Sequence, residues 1–304
     1  MIFNEIWQAD MNENGLIPLI KGVSDDEKSE ERGYVIVNLN PFPEGSETNS
    51  RDRQVNVLEE VYIPESKSPS YELLEKLHDN YKWRHNANDT TPQQEIDEVN
   101  EFLNFVITKQ PMRIARDVAI EKEKITPDAS DEEWINFLKF MWFHQYEGNS
   151  TSVFEHVFIG EQGGRLAERH RIPGRREYKL GGHHSWYHYY KNDGPYEITE
   201  EEDVIFFLKH VEVNRSEISD KAEVITVQYE YNAKDDQGSM VLFKETGGFF
   251  VGLSAEGLLA MGTVGFLDGR ENFPIRINNE TYDLTVWRTT DEHRYPRTFF
   301  PRIR

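Results

Sequence analysis

The feature that most constrains the fold is a change of pattern near residue 150 of the 304-residue chain. Before it, apolar residues recur at helical spacing. After it, short runs of alternating or continuous apolar residues dominate, separated by glycine and polar turns. Ile2, Ile6 and Trp7 form one stripe, followed by a turn at Asn12–Gly15. The spacing predicts helices over 71–81, 114–122 and 133–146. Another is predicted from Thr91-Pro92, read as a cap followed by a first-turn proline, through Ile107. In 133–146, Trp134, Leu138, Met141, Trp142 and Tyr146 share a face that suits core packing. The Pro-, Gly- and Ser-rich stretch from Asn40 to Asn56 reads as a long loop. Beyond Ser150, strands are expected at 153–159, 224–231, 241–243, 249–253, 275–277 and 282–287, with one helix over 254–261. The expected fold is therefore α+β, with a helical N-terminal region (1–150) packed on a β-rich C-terminal region of antiparallel sheets (151–304), together one continuous unit.

There are no cysteines, which removes disulfides, thiolate metal sites and a cysteine nucleophile. No export signal and no membrane-spanning run is visible, so a cytoplasmic protein, favoured as a monomer, is the expectation. The net charge of −21 opposes broad binding to nucleic acid. Basic residues are nevertheless clustered. Arg165, Arg169, Arg171, Arg175, Arg176 and Lys179 stand against only Glu168 and Glu177, and Arg288–Arg304 holds five arginines against Asp291 and Glu292. On charge alone these islands serve equally as RNA contacts or as solvated loops.

Three short segments carry reactive side chains. Phe154-Glu155-His156-Val157-Phe158-Ile159-Gly160-Glu161 sets a histidine between two carboxylates; read as a strand, it points His156 away from both Glu155 and Glu161. Gly181-Gly182-His183-His184-Ser185-Trp186 places paired glycines, suited to close backbone approach, before two histidines. Lys244 precedes Thr246-Gly247-Gly248, whose N–H groups could face an anion. Two imidazoles and an ammonium suffice to cleave RNA through its own 2′-hydroxyl. One ring takes up the 2′-OH proton, the other protonates the departing 5′-oxygen, and lysine balances the transition-state charge. A competing reading pairs His184 with His188 at i, i+4 as metal ligands, with Glu155 or Glu161 as the third. The chain has no HExxH, and HHSWYHYY is aromatic enough to be a strand, which would split that pair.

At these residues the sequence resembles the EndoU family of uridylate-directed endoribonucleases, coronavirus relatives included. FEHVFIGE (154–161), GGHHSW (181–186), Lys244 before FFVGLS (249–254) and Thr298-Phe299-Phe300 follow one another in the family's order. Upstream, residues 2–18, 101–115 and 134–146 resemble the helical part of cellular members, so the likeness spans nearly the whole chain. The resemblance implies cleavage of single-stranded RNA, not DNA, 3′ of uridylates to 2′,3′-cyclic phosphate and 5′-hydroxyl ends. It implies His184 as general base, rather than its neighbour His183, with His156 as general acid and Lys244 at the phosphate. Gly248, Thr298 and Phe300 would contact substrate. Manganese stimulation is implied too, with Glu155 and Glu161 as candidates to bind the ion or to orient the imidazoles. A catalytically weak RNA-binding protein of the same fold is the alternative. Two departures stand out: the family's serine four residues after the lysine is Gly248 here, and its C-terminal tyrosine is Phe300. Both predict weaker uridine preference.

Overall fold

The computed structural model describes residues 1–41, 56–84, 92–145, 151–193, 204–213, 219–290 and 295–304. The expected 40–56 loop lies mostly outside them, as do Thr91 and Tyr146. The α+β class is as read from the sequence. Helices α1 (Ile2–Asn12), α2 (Ser68–Glu75), α3 (Gln93–Val106), α4 (Gln110–Glu121) and α5 (Asp131–Leu138) precede most of the strands. Between α1 and α2, however, lie β1 (Ile17–Ile20), β2 (Tyr34–Val37) and β3 (Leu58–Tyr62), a small sheet the sequence reading left out. Its first two strands, four residues each and largely buried, show no alternation by which to recognise them.

The central sheet has order β4-β5-β8-β7-β6, formed by β4 (Glu161–Arg165), β5 (Arg176–Gly181), β6 (Val204–Val213), β7 (Val224–Asp235) and β8 (Gly238–Phe250). Its strands were expected to be antiparallel; β5 and β8 instead run parallel. Residues 241–243 and 249–250 belong to one strand, β8, so Gly247 and Gly248 sit in ladder positions opposite Val227 and Thr226 and do not form an anion-binding loop. A third sheet of β9 (Asn272–Ile277), β10 (Glu280–Arg288) and β11 (Pro296–Arg302) is antiparallel throughout.

Helix α7 (Ala255–Asp268) is buried almost end to end. Ser254 caps it by accepting from the Gly257 N–H, so the helix expected at 254–261 is real and longer. Gly262 lets it press on Trp142 and Phe299: a Cβ there would come within 2.7 Å of both rings. One contiguous apolar cluster runs from Phe3 in α1 to Phe299 in β11, joining the helical part to the sheets. Helix α5 ends in a π-helical turn (Lys139–Phe143), and Trp134, Leu138, Met141 and Trp142 are buried as their spacing predicted. Helix α2 stops earlier than expected because hydrogen bonds tighten to i−3 at Leu77 and His78.

Candidate active site

Residues 153–159 are not a strand. Every residue of the run is buried, so its periodicity does not distinguish strand from helix; it forms a turn of helix ending in a π-helical segment, Glu155–Ile159. The Ser152 hydroxyl receives the Glu155 N–H at its start. Gly160 ends it with φ +84, a conformation that suits glycine. That exit reverses the parity argument, since the chain doubles back and Glu161 Oε1 lies 2.7 Å from His156 Nδ1. Glu155 is buried within the turn, and Glu161 is the carboxylate that meets the ring.

The second histidine arrives on residues 181–184. Gly182 has φ +57, and a Cβ on it would lie 1.7 Å from the His156 carbonyl oxygen, so only glycine fits. The close approach lets the His183 N–H donate to the His156 carbonyl and the His184 N–H to that of Val157, both at 2.7 Å. The paired glycines therefore do what their residue type suggested. HHSWYHYY is not a strand: Ser185 caps α6 (Trp186–Asn192). His184 lies before that helix, and His188 points at His183, Nδ1 to Nε2 at 2.8 Å, so the i, i+4 metal pair does not form. His183 also shares a hydrogen bond with the Tyr229 hydroxyl, which commits both its nitrogens inward and leaves His184 as the ring facing His156.

The rings of His156 and His184 have centroids 6.5 Å apart, inclined at 50°. Lys244 Nζ donates to the Gly182 carbonyl, which brings the ammonium to the same loop. His184 Nδ1 lies 3.2 Å from the Gly248 carbonyl oxygen. A carbonyl only accepts, so Nδ1 carries the hydrogen and Nε2 keeps a lone pair. Burial, then the charges of Lys244 and His156, push the His184 ring well below its ordinary pKa and hold it neutral. Phe300 stacks on this ring at 4.7 Å and 12°, so one face of the residue expected to meet a base is covered by His184. Burial lowers the Lys244 ammonium to about 8 despite the opposing pull of Glu161. For Glu161, burial works upward, but His156, Arg297 and Lys244 together outweigh it and keep the carboxylate ionised. Arg297, which the sequence reading counted only as charge, donates to Glu161 Oε1 at 3.2 Å and to the Thr151 hydroxyl at 2.7 Å. Thr298, next in sequence, is buried, and its hydroxyl has no hydrogen-bond partner among the described residues.

Gly248 is a packing requirement. A Cβ there would stand 2.3 Å from the Pro301 carbonyl oxygen, so a serine does not fit unless β11 moves. The residues present also do not make a manganese cage. No group of three or more His, Asp or Glu among the described residues is arranged to hold a metal. Glu161 is ringed by Arg297, Lys244 and an imidazole, neighbours that repel a divalent cation.

A family model described as endoribonuclease XendoU matches residues 17–301. The chain belongs to the XendoU endoribonuclease family. Its members are RNA-cutting enzymes, which places this chain among the RNA endonucleases. Relatives include a poly(U)-specific endoribonuclease of Xenopus tropicalis, 26% identical over 313 residues, covering 99% of this chain and 91% of the relative. A uridylate-specific endoribonuclease C of Danio rerio is 27% identical over 317 residues, covering 99% and 87%. The solved structure of XendoU, titled a splicing-independent snoRNA processing endoribonuclease, superposes with a TM-score of 0.60 at 22% identity, covering 99% of this chain and 95% of that one; this is a likeness of fold. Among the described residues, no helix is long and apolar enough to cross a membrane.

Proposed function

We propose that the chain cleaves single-stranded RNA 3′ of uridylates by internal attack of the 2′-hydroxyl, leaving 2′,3′-cyclic phosphate and 5′-hydroxyl ends. The observation that carries this is the unlike pairing of two facing imidazoles, one against a carbonyl and one against a carboxylate. A neutral ring whose Nδ1–H is tied to Gly248 O offers Nε2 to take the 2′-OH proton. His156, whose Nδ1 faces the Glu161 carboxylate, gives its Nε2 proton to the leaving 5′-oxygen. Ring centroids 6.5 Å apart put both imidazoles within reach of one shared phosphate. Lys244 stabilises the charge that accumulates on the phosphoryl oxygens. Thr298 and Phe300 border the same site and form the wall against which a base is placed. With no hydroxyl at position 248 and none on Phe300, selection for uracil weakens by several-fold to about tenfold, the worth of one hydrogen bond.

The test is cleavage of an end-labelled mixed-sequence RNA by the wild-type chain and by His184→Ala and His156→Ala. Cyclic-phosphate ends that vanish in both variants, on a ladder of U-preferred but not U-exclusive cuts, support the proposal. Strict cutting at U removes the specificity claim. Ends bearing 5′-phosphate remove the mechanism, and binding without cleavage returns the chain to an RNA-binding role.

A further inference from the structure

The hairpin that joins the two histidines carries most of the first basic island. Strand β4 begins at Glu161, beside His156, and β5 ends at Gly181, one turn before His184. Between them the chain runs outward from the site, and the direction of β4 sets where its cations stand. Arg165 pairs with Tyr178, three residues back from Gly181, which puts it about 10 Å along the sheet from Glu161. The first residues on that path are Gln162, Gly163 and Gly164, so little side chain stands above the backbone, and a Cβ on Gly164 would meet nothing within 4 Å. Lys179 flanks this bare stretch: a Cβ on Gly163 would touch its Cβ at 3.2 Å. Lys179 is exposed, and the side chains of Arg165 and Arg169 are 61% and 76% exposed.

Their acidic partners hold them weakly. Arg165 meets Glu177 at 3.0 Å and Arg169 meets Glu245 at 3.7 Å, both pairs at the surface, where such contacts contribute little. Behind them, Arg175 and Arg176 share the single buried carboxylate of Glu230, which leaves one positive charge in excess. A net charge of −21 turns a polyanion away from most of the surface, so an exposed cationic strip starting at the candidate site is where a phosphate chain would settle.

We infer that the β4–β5 hairpin is a phosphate-binding track: the RNA strand leaving the scissile position runs along the Gly163-Gly164 backbone, with its phosphates against Lys179, Arg165 and Arg169. The inference rests on the ribonuclease reading for the identity of the polymer, but its test does not depend on turnover. The dissociation constant of a fluorescein-labelled 20-nucleotide oligouridylate is measured by anisotropy from 50 to 200 mM KCl. Wild type is compared with the triple variant Arg165→Gln/Arg169→Gln/Lys179→Gln, with Lys179→Gln alone in case the triple variant does not fold, and with the exposed Lys124→Gln. Each phosphate contact to a single strand contributes about 0.7 to the slope of log K against log salt, so three contacts amount to about 18-fold over this range. The triple variant is expected to lose that share of the salt dependence and Lys179→Gln about one third of the slope change, with Lys124→Gln like wild type. A wild-type slope in a folded triple variant, an equal loss in Lys124→Gln, or no binding by the wild type overturns the track. Binding with the expected slopes in a chain that cuts no RNA sustains the track and removes the ribonuclease reading.

Discussion

Replacing Lys244 by methionine is expected to make the protein more stable at neutral pH while silencing it. The ammonium is buried and its pKa falls from 10.5 to about 8. Folding thus forces a group that is charged in the unfolded chain into a place that favours its neutral form. At pH 7 the difference of about 2.5 pKa units corresponds to roughly 3 kcal/mol of lost stability. The unfolded chain keeps this proton up to pH 10.5 and the folded chain only to about 8, so stability rises with pH across that window. Methionine fills similar volume without charge, but it forfeits the bond to the Gly182 carbonyl, worth about 1 kcal/mol. The net expectation for Lys244→Met at pH 7 is a gain of about 2 kcal/mol, or about 3 °C in Tm for a chain of this length. Urea unfolding at pH 7 and at pH 10.5 measures it: the gain should be present at the first and gone at the second. A variant less stable than wild type at pH 7 would refute the claim that this ammonium is held against its own solvation.

Three further outcomes follow from the same geometry. Cleavage should decline above pH 8 as Lys244 loses its proton, while lowering the pH from 7 to 6 should leave His184 neutral, so a kcat/KM profile still climbing at pH 9 would contradict the lysine's role. Gly182→Ala should cost more than about 2 kcal/mol and over a hundredfold in rate, because its methyl meets the His156 carbonyl at a positive φ; thermal melts and initial rates check both. Glu161→Gln keeps an oxygen for His156 but not the charge, and should lower kcat about a hundredfold with little change in KM.

What could be read in advance depended on how unevenly each segment is buried. Helix α4 was visible because it is two-faced, whereas α7, buried on all sides, was read only as a short helix over 254–261 and its run to Asp268 was missed. Phe154–Ile159 and Trp186–Asn192 were read as strand-like because both are so thoroughly buried or aromatic that neither period stands out. The same error misdirected the pairing of the first histidine. A strand would have separated His156 from Glu161, and only the reversal at Gly160 joins them. The parallel β5–β8 pairing, and Arg297 reaching back to Thr151, are contacts between distant parts of the chain with no local sequence signal. The three groups proposed to carry the chemistry, and Glu161 as a carboxylate to orient an imidazole, were picked out by residue type and by likeness to a family; the Gly248 and Gly182 carbonyls that hold His184 and Lys244 were not.

The tetrapeptide 181–184 touches each of those groups: the carbonyl of Gly182 holds Lys244, and the amides of His183 and His184 are tied to the turn bearing His156. It acts as a clasp rather than as a set of separate mountings. Loosening any one attachment loosens the others, so damage here should extinguish the enzyme in a single step and leave no half-assembled state with partial turnover. For anyone wishing to switch such a protein off, this short stretch offers more leverage than any single reactive side chain.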